Sequence, residues 1–137
     1  DVIGKLPINF ICPSEVREEL DVGTYKGYLS VEPNWLSVVA LANPFDTIAL
    51  ITLDKGEAAV IQLAQEQNIN YVCIDERKGR RIASAVGLNV VGTLGLLLRA
   101  KTTGIIPAIK PYIDQFEEYE FWFESGILRK VLIAANE

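Results

Sequence analysis

An apolar, β-rich run, Tyr71-Val72-Cys73-Ile74, stops abruptly at Asp75-Glu76. Arg77, Lys78, Gly79, Arg80 and Arg81 follow, and a helix-like pattern takes over at Ile82. A strand that ends in carboxylates and leads into a helix belongs to an α/β chain. In such chains ligands bind beyond the carboxyl ends of the strands. Asp75 and Glu76 fall at such an end. The position suits an aspartate that helps hold a divalent cation, with the cations behind it facing a phosphate backbone. A polar strand-to-helix turn with solvated charges fits the same residues about as well.

The rest of the chain repeats the alternation. Ile8 to Cys12 is short, apolar and strand-like. Pro13-Ser14 then starts a helix over Glu15 to Leu20, and Gly23 breaks a loop from Asp21 to Lys26. Trp35 to Leu41 reads as a second strand. Asn43-Pro44-Phe45-Asp46 is turn chemistry, with Asp46 capping a short helix through Leu53. Asp54 and Glu57 have the spacing of a capping box, and Ala58 to Asn68 is amphipathic at helical spacing. Tyr71 to Ile74 is a strand, Ile82 to Val86 a helix ended by Gly87, and Leu88 to Val91 a strand. Helices are expected over Leu94 to Lys101, Pro107 to Glu118 and Ile127 to Ala135, with Phe121-Trp122-Phe123 as a short edge strand. Strands alternating with helices imply βαβ units and a mainly parallel sheet. With 137 residues and no visible linker, one domain is expected.

Half the residues are hydrophobic, 23% are charged and the mean hydropathy is +0.22, enough apolar matter for a core. Charges and glycines interrupt every apolar run before it reaches the length of a membrane span. Cys12 and Cys73 lie in apolar runs and read as buried thiols of an intracellular, cytoplasmic protein. Histidine is absent. Ser-His and Cys-His catalysis and histidine-held zinc are thereby excluded. Oxygen ligands favour hard cations such as Mg²⁺ or Mn²⁺. The net charge of −5 argues against a protein that coats nucleic acid generally. Yet no acidic residue occurs from Arg77 to Lys110, and an acidic block from Asp114 to Glu124 follows. A segregated basic stretch is a better nucleic-acid footprint than bulk charge.

Three acidic positions stand at the start or end of an element: Glu19 late in the first helix, Glu57 in the first turn of the amphipathic helix, and Asp75 at a strand end. Carboxylates so placed can converge on one cleft, where they repel each other until a divalent cation binds. Such a cluster supports phosphodiester hydrolysis. Each has a plainer alternative. Glu57 can close the capping box with Asp54, Glu19 can be one of three solvated glutamates with Glu15 and Glu18, and Glu76 can pair with Arg80 at i,i+4 spacing. Gly92-Thr93-Leu94-Gly95 resembles a phosphate-cradling turn but lacks the lysine and spacing of a P-loop.

The runs Asp75 to Ala83, Gly87 to Leu97, Ala100-Lys101 and Gly104-Ile105-Ile106 closely resemble one branch of the PIN-domain superfamily, the VapC-like group of predicted nucleic-acid-binding proteins. Asp54 to Ala64 and Pro13 to Leu20 match it as well. The resemblance implies a three-layer α/β/α sandwich with a mainly parallel sheet. It also implies a ribonuclease dependent on Mg²⁺ or Mn²⁺, in many members a toxin neutralised by a small antitoxin. Carried over by position, Glu19, Glu57 and Asp75 are the family's second, third and fourth acidic residues, and Glu76 assists as a metal ligand. Arg77, Lys78, Arg80 and Arg81 would face the RNA. The resemblance further implies a first strand, with the family's first aspartate, upstream of Asp1. A sheet without that strand has two unpaired edges, which invite a partner strand or a homodimer.

Two functions follow as expectations. One is a metal-dependent endoribonuclease acting on single-stranded RNA, the toxin of a toxin–antitoxin pair. The other is a catalytically idle PIN-like module that binds RNA or a protein partner. A nucleotide-binding α/β domain would need a glycine-rich loop that the chain lacks.

Overall fold

A computed structural model describes residues 2–26, 32–45 and 47–137. The chain divides into two compact units, one of Ile8–Val91 and one of Asp1–Pro7 with Gly92–Glu137. The fold is mixed α/β with short parallel strands, as expected of an α/β/α protein.

Within Ile8–Val91 the order is β1 (Phe10–Pro13), α1 (Ser14–Tyr25), β2 (Leu36–Val39), α2 (Thr47–Thr52), α3 (Lys55–Glu66), β3 (Tyr71–Cys73), α4 (Arg77–Ala85) and β4 (Asn89–Val91). β1 pairs in parallel with β2, Phe10 opposite Leu36 and Pro13 opposite Val39. β3 pairs in parallel with β4, Tyr71 opposite Asn89 and Cys73 opposite Val91. Among the described residues these form two separate two-stranded sheets. Helix α3 contacts both β1 and β3. Its apolar stripe supplies Ala58, Ile61 and Ala64 to a core with Leu53, Val72, Ile74 and Ala83. Burying each of the larger side chains contributes about 1.5–3 kcal/mol.

The other unit holds a short 3₁₀ helix (Ile3–Lys5), α5 (Thr93–Thr102), α6 (Lys110–Glu118) and α7 (Ser125–Ala134). Leu94, Leu97 and Ala100 of α5 are buried, as are Ile109 and Ile113 around the start of α6. The Glu137 carboxylate accepts from Lys101 Nζ at 2.7 Å and from the backbone N–H groups of Ile109 (2.7 Å) and Lys110 (3.0 Å). These donors hold its carboxyl down at about 2.

Several expected boundaries move. α1 runs on through Gly23, because glycine costs little in a last turn, where Lys26 N closes on the Gly23 carbonyl at 3.0 Å. α4 starts at Arg77 rather than Ile82, so the cations occupy helix and not loop; Arg80 N bonds the Glu76 carbonyl at 3.0 Å to close the first turn. Phe121-Trp122-Phe123 is not a strand. Glu120 turns the chain with a positive φ of 60°, and Phe116, Phe121 and Phe123 pack edge to face or tilted, with centroids 5.1–5.8 Å apart. Asp46, expected to cap α2, lies outside the described residues. Both cysteines are free. Cys12 is buried as expected, whereas Cys73 is exposed in β3. Although the residue as a whole is exposed, its thiol is desolvated, and this, with the charge of Asp75, pushes it up to about 11. No helix among the described residues is long and apolar enough to cross a membrane.

Candidate metal centre

Helices α3 and α4 begin against each other. Asp54 is the N-cap of α3, Glu57 is in its first turn, and Glu76 is the N-cap of α4. One carboxylate oxygen from each of Asp54, Glu57 and Glu76 lies within 4.8 Å of the others, a spacing that could hold a metal ion. The local sequence explains the convergence. Neither N-cap side chain bonds its own helix, so both carboxylates remain available to the cluster. Only half of the capping box forms: Glu57 accepts from the backbone N–H of Asp54.

Two buried glycines make room for the acids. A Cβ at Gly79 would stand 2.5 Å from Glu57 Oε1, and a Cβ at Gly56 would stand 2.7 Å from both oxygens of Glu19. Each glycine lies in the first turn of its helix. There the exposed backbone N–H groups and the helix dipole favour negative charge. Glu19 uses this directly, accepting from Gly56 N at 3.1 Å. Glu57 does not gain enough from it. Burial, and then the charges of Glu76 and Asp54, raise its carboxyl above the ordinary value. That is the signature of an acidic cluster short of positive charge, and a hard divalent cation fits this all-oxygen donor set.

The structure treats the sequence-derived residues differently. It gathers Glu57 and Glu76, and adds Asp54, which sequence reasoning saw only as a cap. Glu19 bonds Gly56, the residue before Glu57, and is not one of the three. Asp75 is exposed in the turn between β3 and α4, next to Glu76 but also outside the group. Glu15 is only partly exposed, unlike the surface residue expected, and its Oε2 is buried with no hydrogen-bond partner among the described residues. It lines a groove of about 410 Å³ with Glu18, Glu19 and Lys55. Lys55 Nζ reaches Glu18 at 3.5 Å across an exposed gap, an ion pair worth about 0–1 kcal/mol.

Arg77, Lys78 and Arg81 are exposed on α4. Arg80 is half-buried and donates from Nη1 to the Ile74 carbonyl at 2.8 Å, tying α4 to the end of β3. Glu76 faces Glu57 rather than pairing with Arg80.

These features define a class: a mixed α/β protein with short parallel strands and an acidic cluster at the start of two helices. A family model described as a PIN domain matches residues 1–137. The chain belongs to the PIN-domain family, whose fold is in general a nuclease fold. No curated protein and no solved structure matches it.

Proposed function

We propose that this chain is a metal-dependent endoribonuclease of the PIN type that hydrolyses phosphodiester bonds of single-stranded RNA. The observation that carries the reading is the approach of Asp54, Glu57 and Glu76 to within 4.8 Å. Those three would hold Mg²⁺ or Mn²⁺. When bound, such a cation supplies a nucleophilic water near neutral pH and offsets charge on the scissile phosphate.

The chain's own groups do the rest. Glu19 fixes the start of α3, and so the backbone from which Glu57 projects. Arg77, Lys78 and Arg81 attract the phosphates on either side of the scissile one. Arg80 holds the first turns of α4 against β3. In this reading Asp75, exposed beside Glu76, orients the attacking water or accepts its proton. By the same reading its partners would be an antitoxin and a second copy of the chain, and it would act as a toxin in the cytoplasm, as the resemblance implies.

The test is cleavage of an unstructured RNA with Mn²⁺, with EDTA, and with Glu57→Gln. Cleavage should require the metal and fall by at least about a hundredfold in the variant. Metal-independent cleavage, unchanged by substitution at Asp54, Glu57 and Glu76, would reject the assignment. RNA binding with no cleavage in any metal would leave the idle binding module instead.

A further inference from the structure

Lys55 and Glu57 stand two residues apart at the start of α3, so they leave the helix on nearly opposite sides. Glu57 turns to α4, where it meets Gly79. Lys55 turns to α1 and the groove of about 410 Å³ that it lines with Glu18 and Val22. The carboxylate cluster therefore has cations to either side, Arg77 and Lys78 on α4 and Lys55 towards α1.

The three glutamates of that groove are not equivalent. Glu19 is taken by Gly56 N, 3.1 Å away, and Glu15 has Oε2 buried. Glu18 stays open: its side chain is 66% exposed and that of Lys55 58%, with 3.5 Å between their charged atoms. So exposed a pairing is weak, and a ligand that satisfies both ends separates it. A ribonucleotide has both ends, a phosphate for the ammonium and a base edge for the carboxylate. A carboxylate accepts from the amino group of cytosine and repels the carbonyl oxygen that uracil carries in its place. Apolar surface lies alongside. Val22 is 50% exposed, and Tyr25, three residues further along α1, is 91% exposed. Bases of any sequence stack on such a ring.

We propose that the Lys55–Glu18 pair is a nucleotide-reading subsite. The RNA strand that crosses the carboxylate cluster from α4 sets its next phosphate on Lys55 and a base with an exocyclic amino group on Glu18, with the base lying against Val22 and Tyr25. The inference rests on RNA being the ligand, as proposed above, and adds a base preference that the cluster and the cations of α4 do not supply. The pair is neutral as a whole, so opening it adds little to the salt dependence of binding.

The experiment measures binding of labelled oligocytidylate and oligouridylate to the full chain by fluorescence anisotropy in EDTA, and cleavage of both in Mn²⁺. Wild type should bind the cytidylate about tenfold more tightly. Glu18→Gln, whose amide can face either base, should bring the two to equal affinity. Lys55→Gln and Tyr25→Ser should each weaken both oligomers alike, by about tenfold. These side chains are exposed, so unchanged thermal melts should accompany the losses. Equal wild-type affinity for the two oligomers, a preference that survives Glu18→Gln, or binding untouched by Lys55→Gln would overturn the inference, while Mn²⁺-dependent cleavage would still uphold the nuclease reading. A cytidylate preference that obeys Glu18 with no cleavage in any metal would uphold the inference and end the nuclease reading. No binding of either oligomer would overturn both.

Discussion

The position of the Glu57 carboxylate depends on a hydrogen atom at residue 79. With the Gly79 Cβ site only 2.5 Å from Glu57 Oε1 and 3.0 Å from Ile74 Cγ2, a methyl group there must displace something. The end of a glutamate gives way more readily than the core. Alanine also favours the helix over glycine by about 1 kcal/mol. Gly79→Ala should therefore leave the melting temperature nearly unchanged while weakening Mn²⁺ binding by about tenfold or more, read by calorimetric titration. Equal affinity in the variant would mean that Glu57 is not a ligand. A second outcome follows from the repulsion around Glu57, whose carboxyl is raised by burial and by Glu76 and Asp54. Glu57→Gln removes a charge that the metal-free fold holds at a cost, so the metal-free variant should melt at or above the wild type. Wild type should gain about 2.7 kcal/mol at a cation concentration near 100 Kd, and the variant almost none. A variant that melts lower without metal would show that the carboxylate is structural.

The amphipathic stripe of α3 and the apolar runs of β1 to β4 were legible because each is a local period, and a core face needs nothing more to be read. The start of α4 was not. Arg77 to Arg81 has the composition of a loop, and only the neighbouring helix shows that Gly79 is there to admit Glu57. Asp54 was hidden for a related reason: a helix cap and a metal ligand look alike until the second helix arrives with Glu76. The aromatic triplet at 121–123 has strand propensity, but Phe116 offers it rings and no strand pairs with it among the described residues. The end of α3 carries another device that spacing cannot show. Glu66 accepts from Ala42 N (2.8 Å), Asn43 N (3.0 Å), Asn43 Nδ2 (3.2 Å) and Gln62 Nε2 (3.0 Å). An acid at a helix C-terminus opposes the dipole, yet these donors hold its carboxyl down at about 2. A depressed carboxyl stabilises the fold above its ordinary value of 4.5 and loses that contribution as pH falls through about 2. Glu66→Ala should remove this acid-sensitive part of the stability and speed hydrogen exchange at Ala42 and Asn43 at neutral pH. Unchanged exchange there would separate the loop from α3.

At the scale of the whole molecule the proposed function asks how a chain of net charge −5 would approach a polyanion. Distribution answers it. Asp54, Glu57 and Glu76 sit where a cation can neutralise them, and Arg77, Lys78 and Arg81 stand exposed on the helix whose N-cap is Glu76. Three phosphate contacts to a single strand release counterions with a slope of log K against log salt of about −0.7 per contact, or about −2 in all. Measured by fluorescence anisotropy with the cation replaced by EDTA, the wild type should show a slope near that value. Arg77→Ala, Lys78→Ala and Arg81→Ala combined should flatten it towards zero. Arg80 is different, since its guanidinium bonds the Ile74 carbonyl. Arg80→Ala should lower thermal stability while leaving most of the slope. The two responses separate a cation that meets RNA from one that anchors a helix. A triple variant with an undiminished slope would place the RNA on some other face, and the carboxylate cluster would then need a different substrate.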